Sequence, residues 1–283
     1  MFSDQFTFFS AHIDYFTMGV WVVALAAGTS LLGAAVAVAG VNKAANTLSG
    51  RTRVTWLAWS AVSFGGVAAW LPYCVALVGL EVDGSRIRFD LVWLLAAAAI
   101  AVIGSGLAFV VIAPTRTRHQ KPSTSPQWGR LIPSALLLFV TLGAMHVAVV
   151  SSIRIQGEIV FLVPMTVVAA VLAAVVAVGT VTAASFLDTR GRRLYASVGI
   201  AVGLAGVYYF GIFGIDAEVD PAVAVPEGVE MFGIALPVFV LSVLVMTIPI
   251  TALLMAPDRV SAELESEADQ LAAESRQLEK AGA

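Results

Sequence analysis

Apolar residues fill seven long stretches of this chain, and short polar segments separate them. A helix of about 20 residues crosses the roughly 30 Å hydrocarbon core of a bilayer, and each stretch reaches that length. The pattern therefore predicts an all-α fold, a polytopic membrane protein with seven transmembrane helices. The predicted spans are residues 16–41, 54–79, 91–113, 131–151, 159–183, 194–215 and 231–256.

The overall composition agrees with a membrane location. Hydrophobic residues make up 59% of the chain and charged residues 12%, and the mean hydropathy is +0.91. Such a chain has too few polar side chains to coat a water-soluble globule, so the lipid bilayer is its first predicted partner. The single cysteine, Cys74, excludes an internal disulfide framework and any metal site built from several cysteines.

Charged residues are distributed unevenly between the two sets of loops. Segments 42–53, 114–130 and 184–193 together hold ten Lys or Arg residues and one acid. The loops on the other side hold three cations and eleven acids. Because cytoplasmic loops are enriched in Lys and Arg, this asymmetry predicts an outer amino terminus and a cytoplasmic carboxyl terminus. Residues 1–15 contain no Lys or Arg, so we expect a retained first helix and no cleaved signal peptide.

A short box of residues recurs near the ends of the second, fourth and sixth predicted spans. The middle residues of the boxes are Tyr73, His146 and Tyr208, which are 73 and 62 residues apart. This spacing equals about two membrane crossings and predicts about three repeats of two helices. The predicted orientation places all three boxes near the outer face. The boxes are Trp70–Cys74, Ala144–Ala148 and Gly206–Gly211.

The boxes contain the chemistry that the spans otherwise lack. No carboxylate or cation falls in the middle of a predicted span, which argues against proton pumps, ion-coupled transporters and voltage sensors. His146 and its neighbour Met145 offer an imidazole and a thioether, both of which are copper ligands. No catalytic residues, enzyme activity or nucleic-acid partner is predicted. The candidate ligand-binding residues are Tyr73, Cys74, Met145, His146, Tyr208 and Tyr209.

A structural role is the alternative for the same residues. Tyr73, Tyr208 and Tyr209 are also typical of the aromatic belt that membrane helices place at the lipid–water interface. In that case His146 would hydrogen-bond to a neighbouring helix and bind no ligand.

In these boxes the chain resembles the MHYT family of bacterial integral membrane sensors. That family has about three repeats of two helices, each with a Met-His-Tyr-Thr-like motif near the outer face. In the second box Met145 and His146 match the first two residues of the motif. In the third box Tyr209 and Gly211 match the family motif. Tyr208 takes the histidine position there, and the first box has Pro-Tyr-Cys where the family has Met-His-Tyr. The similarity spans roughly residues 16–256.

The resemblance implies a sensor in the bacterial cytoplasmic membrane. In the family, His and Met residues are thought to bind copper and so to detect oxygen, carbon monoxide or nitric oxide. For this chain the resemblance implies copper at His146 and Met145, with the signal passing to a separate partner. The alternative function is a membrane subunit without metal, associated with transport or complex assembly.

Two domains are predicted. Residues 1–256 form the MHYT-like transmembrane domain, and residues 257–283 form an acidic cytoplasmic tail. Leu264, Leu271 and Leu278 follow a seven-residue spacing, which favours a helix in the tail. We expect residues 258–283 to be solvated, to bind a cytoplasmic protein partner or to form a homodimer.

Overall fold

The computed structural model describes residues 9–47, 49–113, 128–187 and 189–255. Seven helices within these ranges are long and apolar enough to cross a membrane, which makes the chain an integral membrane protein by length and composition. The predicted tail at 257–283 lies outside the described residues. The helices are α1 (Trp21–Ala45), α2 (Gly50–Leu77), α3 (Leu91–Ile112), α4 (Trp128–Ser152), α5 (Val163–Phe186), α6 (Arg190–Phe213) and α7 (Met231–Met255).

Each helix coincides with a predicted span, with shifts at some ends that have local causes. Helix α1 begins at Trp21 and not at residue 16, because the Gly19 N–H donates to the Phe16 carbonyl in a turn. Gly19 has φ +86°, a backbone conformation that glycine adopts without steric penalty. Helix α5 begins at Val163 because the residues before it pair as a strand.

The loops at one end of the bundle form short strands that the sequence analysis did not predict. Three strands make one antiparallel sheet, and four others form two antiparallel pairs. Each of them includes residues of a segment that the charge distribution predicts to be outside, and we name this the strand-bearing end. The strands are β1 (Phe9–Ala11), β2 (Ile13–Asp14), β3 (Glu81–Val82), β4 (Arg88–Phe89), β5 (Ile153–Arg154), β6 (Gly157–Phe161) and β7 (Ile215–Val219).

The register of these strands joins distant parts of the chain. Val219 of β7 pairs with Phe9 of β1 on one side and with Gly157 of β6 on the other. Strand β2 pairs with β3, and β4 pairs with β5. The sheets therefore connect the amino-terminal segment with the loops between helices, and they satisfy backbone groups that would otherwise need water. The all-α prediction holds for the seven spans, and the strands are an addition to it.

Helix α2 lies at the centre of the bundle. Its apolar window is 89% buried, the largest value among the seven spans, whereas that of α7 is 11% buried. Helices α1 and α3 pack on α2, and α4 packs on α3. The backbones of α2 and α3 approach closely because Gly65 sits directly against the Ala101 carbonyl. Close packing of small residues is the usual source of association between helices in lipid.

Two ion pairs stabilise the strand-bearing end. Arg88 and Arg154 lie directly opposite each other in the β4–β5 pair, where like charges repel. Arg88 donates to Glu230 at 2.7 Å, and Arg154 donates to Asp90 at 3.0 Å. The two acids therefore compensate the repulsion and link the strand pair to the starts of α3 and α7.

Asp90 also caps helix α3, since its carboxylate accepts hydrogen bonds from the N–H groups of Val92 and Trp93. The hydrogen bond from Arg154 holds the pKa of Asp90 below its usual range, and the two backbone N–H groups add to this effect. A carboxyl group with a lowered pKa stabilises the fold fully above its unfolded pKa of about 3.9. That stabilisation is lost as the pH falls through the folded pKa.

We predict that Asp90→Ala lowers the melting temperature at neutral pH more than Asp90→Asn, because asparagine keeps an oxygen for the cap and loses only the charge. Thermal unfolding of purified protein from about pH 5 to about pH 2 should show the difference between wild type and Asp90→Asn shrinking as the pH falls. A difference between these two proteins that does not change with pH would contradict the role of the carboxylate charge.

Candidate functional site

The first box stands at an irregularity in the central helix. Helix α2 is α-helical over Gly50–Ala61, π-helical over Val62–Trp70 and α-helical again over Leu71–Leu77. Pro72 lies at the start of the last segment and has no backbone N–H, so the hydrogen-bond ladder changes there. All seven residues of Leu71–Leu77 are buried. Stretches of π-helix are rare and occur frequently at functional sites.

Residues of all three boxes meet beside this irregularity. The Tyr73 hydroxyl lies 2.7 Å from Nδ1 of His146, a hydrogen bond between α2 and α4. The ring centre of Tyr208 on α6 lies 6.3 Å from that of Tyr73, and the rings of Tyr208 and Tyr209 are 4.7 Å apart. We name Tyr73, His146, Tyr208 and Tyr209 the box cluster. One end of the bundle therefore holds residues that are distant in the sequence.

Gly211 of the third box allows this approach. A Cβ atom built on Gly211 would lie 2.7 Å from Cε1 and 2.9 Å from Nδ1 of His146, distances that real Cβ atoms do not show. It would also lie 3.4 Å from the Tyr73 hydroxyl oxygen. The backbone of α6 can pass beside the Tyr73–His146 pair only because residue 211 has no side chain.

Several polar atoms of the box cluster are buried without a partner. Within the described ranges, Nε2 of His146 and the hydroxyl oxygens of Tyr208 and Tyr209 have no hydrogen-bond partner. A buried polar group left in this state costs roughly 1–3 kcal/mol. In native proteins such groups are usually satisfied by water, an ion or a ligand. The cluster is therefore equipped to bind something beyond its own side chains.

The burial of the tyrosines bears on the aromatic-belt alternative. Tyr73 is 0% exposed and Tyr208 is 1% exposed. Belt residues face the lipid–water interface, so these two do not act as belt residues. Tyr209 is partly buried and lies at the rim of the cluster.

Cys74 and Met145, the other two candidate residues, are buried in the core. Cys74 is a free thiol. Adjacent residues on a helix point about 100° apart. Cys74 therefore points away from Tyr73, and Met145 points away from His146. No group of three or more His, Cys, Asp or Glu residues that could hold a metal occurs in the described part of the chain. That set does not include methionine, and copper at His146 and Met145 stays a prediction.

Aromatic residues before α1, which the sequence did not assign to the site, pack beside Tyr209 at the rim of the cluster. The ring of Phe16 lies 5.7 Å from that of Tyr209, and Tyr15 contacts Phe213 edge-on at 4.8 Å. Burial raises the pKa of Tyr15, and the nearby charge of Asp216 raises it further. The run of aromatic residues before α1 was the one feature of the sequence that could have indicated this contact. Its position against α6 depends on the turn that precedes Trp21, which the sequence analysis did not predict.

The chain was compared with models of known protein families, with curated protein sequences and with solved structures. None of the three comparisons gives a match. The resemblance of the boxes to the MHYT family therefore stays a prediction. The geometry of the box cluster is the basis for a functional proposal.

We predict that Gly211→Ala destabilises the protein by about 1–3 kcal/mol, the usual range for overpacking a filled site. The added methyl group must displace the His146 ring or the α6 backbone. Gly199→Ala on the same helix is the matched control, because a Cβ at residue 199 meets nothing within 4 Å. Alanine there should be neutral or stabilising, since glycine is the poorer helix former. Unfolding of both variants in one detergent measures the effect, and equal stabilities would contradict the close approach.

Proposed function

We propose that this protein is an integral membrane sensor of the divergent MHYT type and that the box cluster is its ligand site. The observation that supports this most strongly is the meeting of three boxes at a set of buried polar atoms without partners. A histidine within a membrane-spanning helix is a functional-site hypothesis by default. Here the same reasoning extends to the tyrosines beside it.

A purely structural role accounts for only part of the cluster. The hydrogen bond between Tyr73 and His146 ties α2 to α4, and a structural role needs no more than that. It leaves the desolvation of Nε2 and of the Tyr208 and Tyr209 hydroxyls uncompensated. A phenylalanine at residue 208 or 209 would fill similar space without that penalty. A ligand that bonds to these atoms explains why polar side chains are present.

The proposed stimulus follows from the resemblance and from Nε2 of His146, a buried atom without a partner among the described residues. The resemblance implies copper or a diatomic gas as the stimulus, and Nε2 of His146 is the atom that such a ligand would meet. Tyr73 at Nδ1 would hold the ring in place, as the hydrogen-bond partner of the other ring nitrogen does in metal-binding histidines. The signal would leave the bacterial cytoplasmic membrane through residues 258–283 to a separate protein. No enzyme activity is part of this proposal.

The test is whether an occupant depends on His146. We expect native mass spectrometry and metal analysis of the purified protein to show a bound mass or copper ion that His146→Ala loses. His12→Ala is the matched control, because His12 lies outside the spans and is exposed, and this variant should keep the occupant.

The same occupancy in all three proteins, or none in any, would contradict a ligand site at His146. The alternative function, a metal-free membrane subunit in transport or complex assembly, would then be favoured. Cross-linking with and without residues 258–283 tests the route of the signal separately. An unchanged set of cross-linked partners would remove the tail from the proposal.

A further inference from the structure

We propose that His146 presents a protonated Nε2 to the ligand and that the box cluster binds a carbonyl oxygen of an uncharged molecule dissolved in the bilayer. This inference rests on the proposed function for the sensor and for its site at His146, and it replaces the copper or diatomic gas that the resemblance implies with another class of ligand. The ligand is a hydrogen-bond acceptor of the quinone or ester type, and not a metal ion.

The number of protons on the Tyr73–His146 pair limits how the two side chains can be bonded. A neutral imidazole has one N–H group and one lone pair, and a phenol can donate one proton. Charged side chains are costly within a bilayer, so the neutral imidazole is the relevant form. If Tyr73 donates to Nδ1, the proton of the ring is on Nε2. If Nδ1–H donates to Tyr73, the phenol proton needs another acceptor.

The structure favours the first arrangement. Tyr73 is completely buried, and across the described residues its hydroxyl bonds only to Nδ1. In the first arrangement a single donor, Nε2–H, lacks a partner. In the second arrangement two groups lack a hydrogen-bond partner, the phenol proton of Tyr73 and the lone pair on Nε2. Because each unpartnered buried group is unfavourable, the proton belongs on Nε2. Tyr73 is then a positioning residue that fixes the tautomer of His146.

The box cluster offers a ligand hydrogen-bond donors and no lone pair on Nε2. A protonated Nε2 has no lone pair for a metal, and copper could bind there only after the Tyr73 proton lost its acceptor. Tyr208 and Tyr209 add two further hydroxyl donors, and every side chain of the box cluster is uncharged in the bilayer. Such a set of donors is complementary to an uncharged molecule with an acceptor oxygen.

The surface of α4 beside His146 faces the lipid. The His146 side chain is partly exposed although its Nε2 atom is covered, and its neighbours Gly143 and Val147 on α4 are exposed. A Cβ built on Gly143 meets nothing within 4 Å, so the surface one turn from His146 is open. Because this surface belongs to a membrane span, the molecules that reach it are those dissolved in the bilayer. A quinone and the ester group of a phospholipid both supply the carbonyl oxygen.

The experiment measures the protonation of the His146 ring directly. The variant His12→Ala/His119→Ala leaves His146 as the single histidine, and ¹⁵N labelling then reports on its two nitrogens alone. In nanodiscs of ether-linked phospholipids, which contain no ester carbonyl, we expect a protonated Nε2. Adding decyl-1,4-benzoquinone should shift the Nε2 resonance, and decylbenzene, which has no acceptor, should not. The same shift in ester-linked nanodiscs without quinone would identify the phospholipid as the source.

Two tyrosine variants test the positioning role in the same background. Tyr73→Phe removes the donor to Nδ1, so we expect signals of both ring tautomers and a loss of quinone affinity of about threefold to tenfold. Tyr195→Phe is the matched control on α6, where Tyr195 is 81% exposed. It should leave the tautomer and the affinity unchanged.

Three results would overturn the inference. One is a ligand-free protein with its proton on Nδ1, and another is an equal response to the quinone and to decylbenzene. The third is copper bound at Nε2 and lost in His146→Ala, which would leave the proposed function standing with a different ligand. A His146 ring that responds to neither the carbonyl compounds, copper, carbon monoxide nor nitric oxide would overturn the proposed function as well.

Discussion

The need to satisfy every polar group inside hydrocarbon governs this structure, because lipid offers no hydrogen-bond partners. The spans meet that need with the backbone bonds of their helices and with Ser and Thr hydroxyls, most of which donate to a carbonyl one turn earlier in the same helix. Two hydroxyls donate to a neighbouring helix. Ser30 of α1 donates to the Ala68 carbonyl of α2 at 2.9 Å, and Ser134 of α4 donates to the Ala108 carbonyl of α3 at 2.8 Å. In the three boxes the need is only partly met, because Nε1 of Trp70 and three polar atoms of the box cluster are buried without a partner among the described residues. That contrast is why the cluster, and not the whole interior, is the candidate site.

The position of α2 makes the irregular backbone near the cluster possible. Non-helical or altered backbone is tolerated at membrane depth only where protein surrounds it. The π stretch Val62–Trp70 is such a place, because α1 packs on one side and α3 on the other. A Cβ built on Gly33 of α1 would touch the Ser63 carbonyl of this stretch, so the close contact depends on glycine. Burial of α2 and the placement of Tyr73 are thus parts of one arrangement.

The seven spans could be predicted from the sequence because length and hydropathy decide membrane crossing almost alone. The common depth of the boxes could also be predicted, since it needs only the charge of the loops. Contact between Tyr73 and His146 could not, because it depends on how each helix is rotated and on the missing side chain of Gly211. The strands were missed for a different reason. Segments as short as Ile13–Asp14 show no alternation of their own, and their partners lie far away in the chain.

On the proposed function, occupancy of the cluster changes another part of the protein, and the described residues connect the cluster to the strand-bearing end. Helix α6 carries Tyr208 and Tyr209 and continues through Gly214 into β7, the middle strand of the three-stranded sheet. An acceptor on Nε2–H polarises the imidazole and strengthens the hydrogen bond that Nδ1 accepts from Tyr73, since linked hydrogen bonds reinforce one another. On the proposed function, occupancy therefore tightens the contact between α2 and α4. Gly211 of α6 lies directly against this pair, so a side chain at residue 211 would press on the same hydrogen bond that occupancy strengthens.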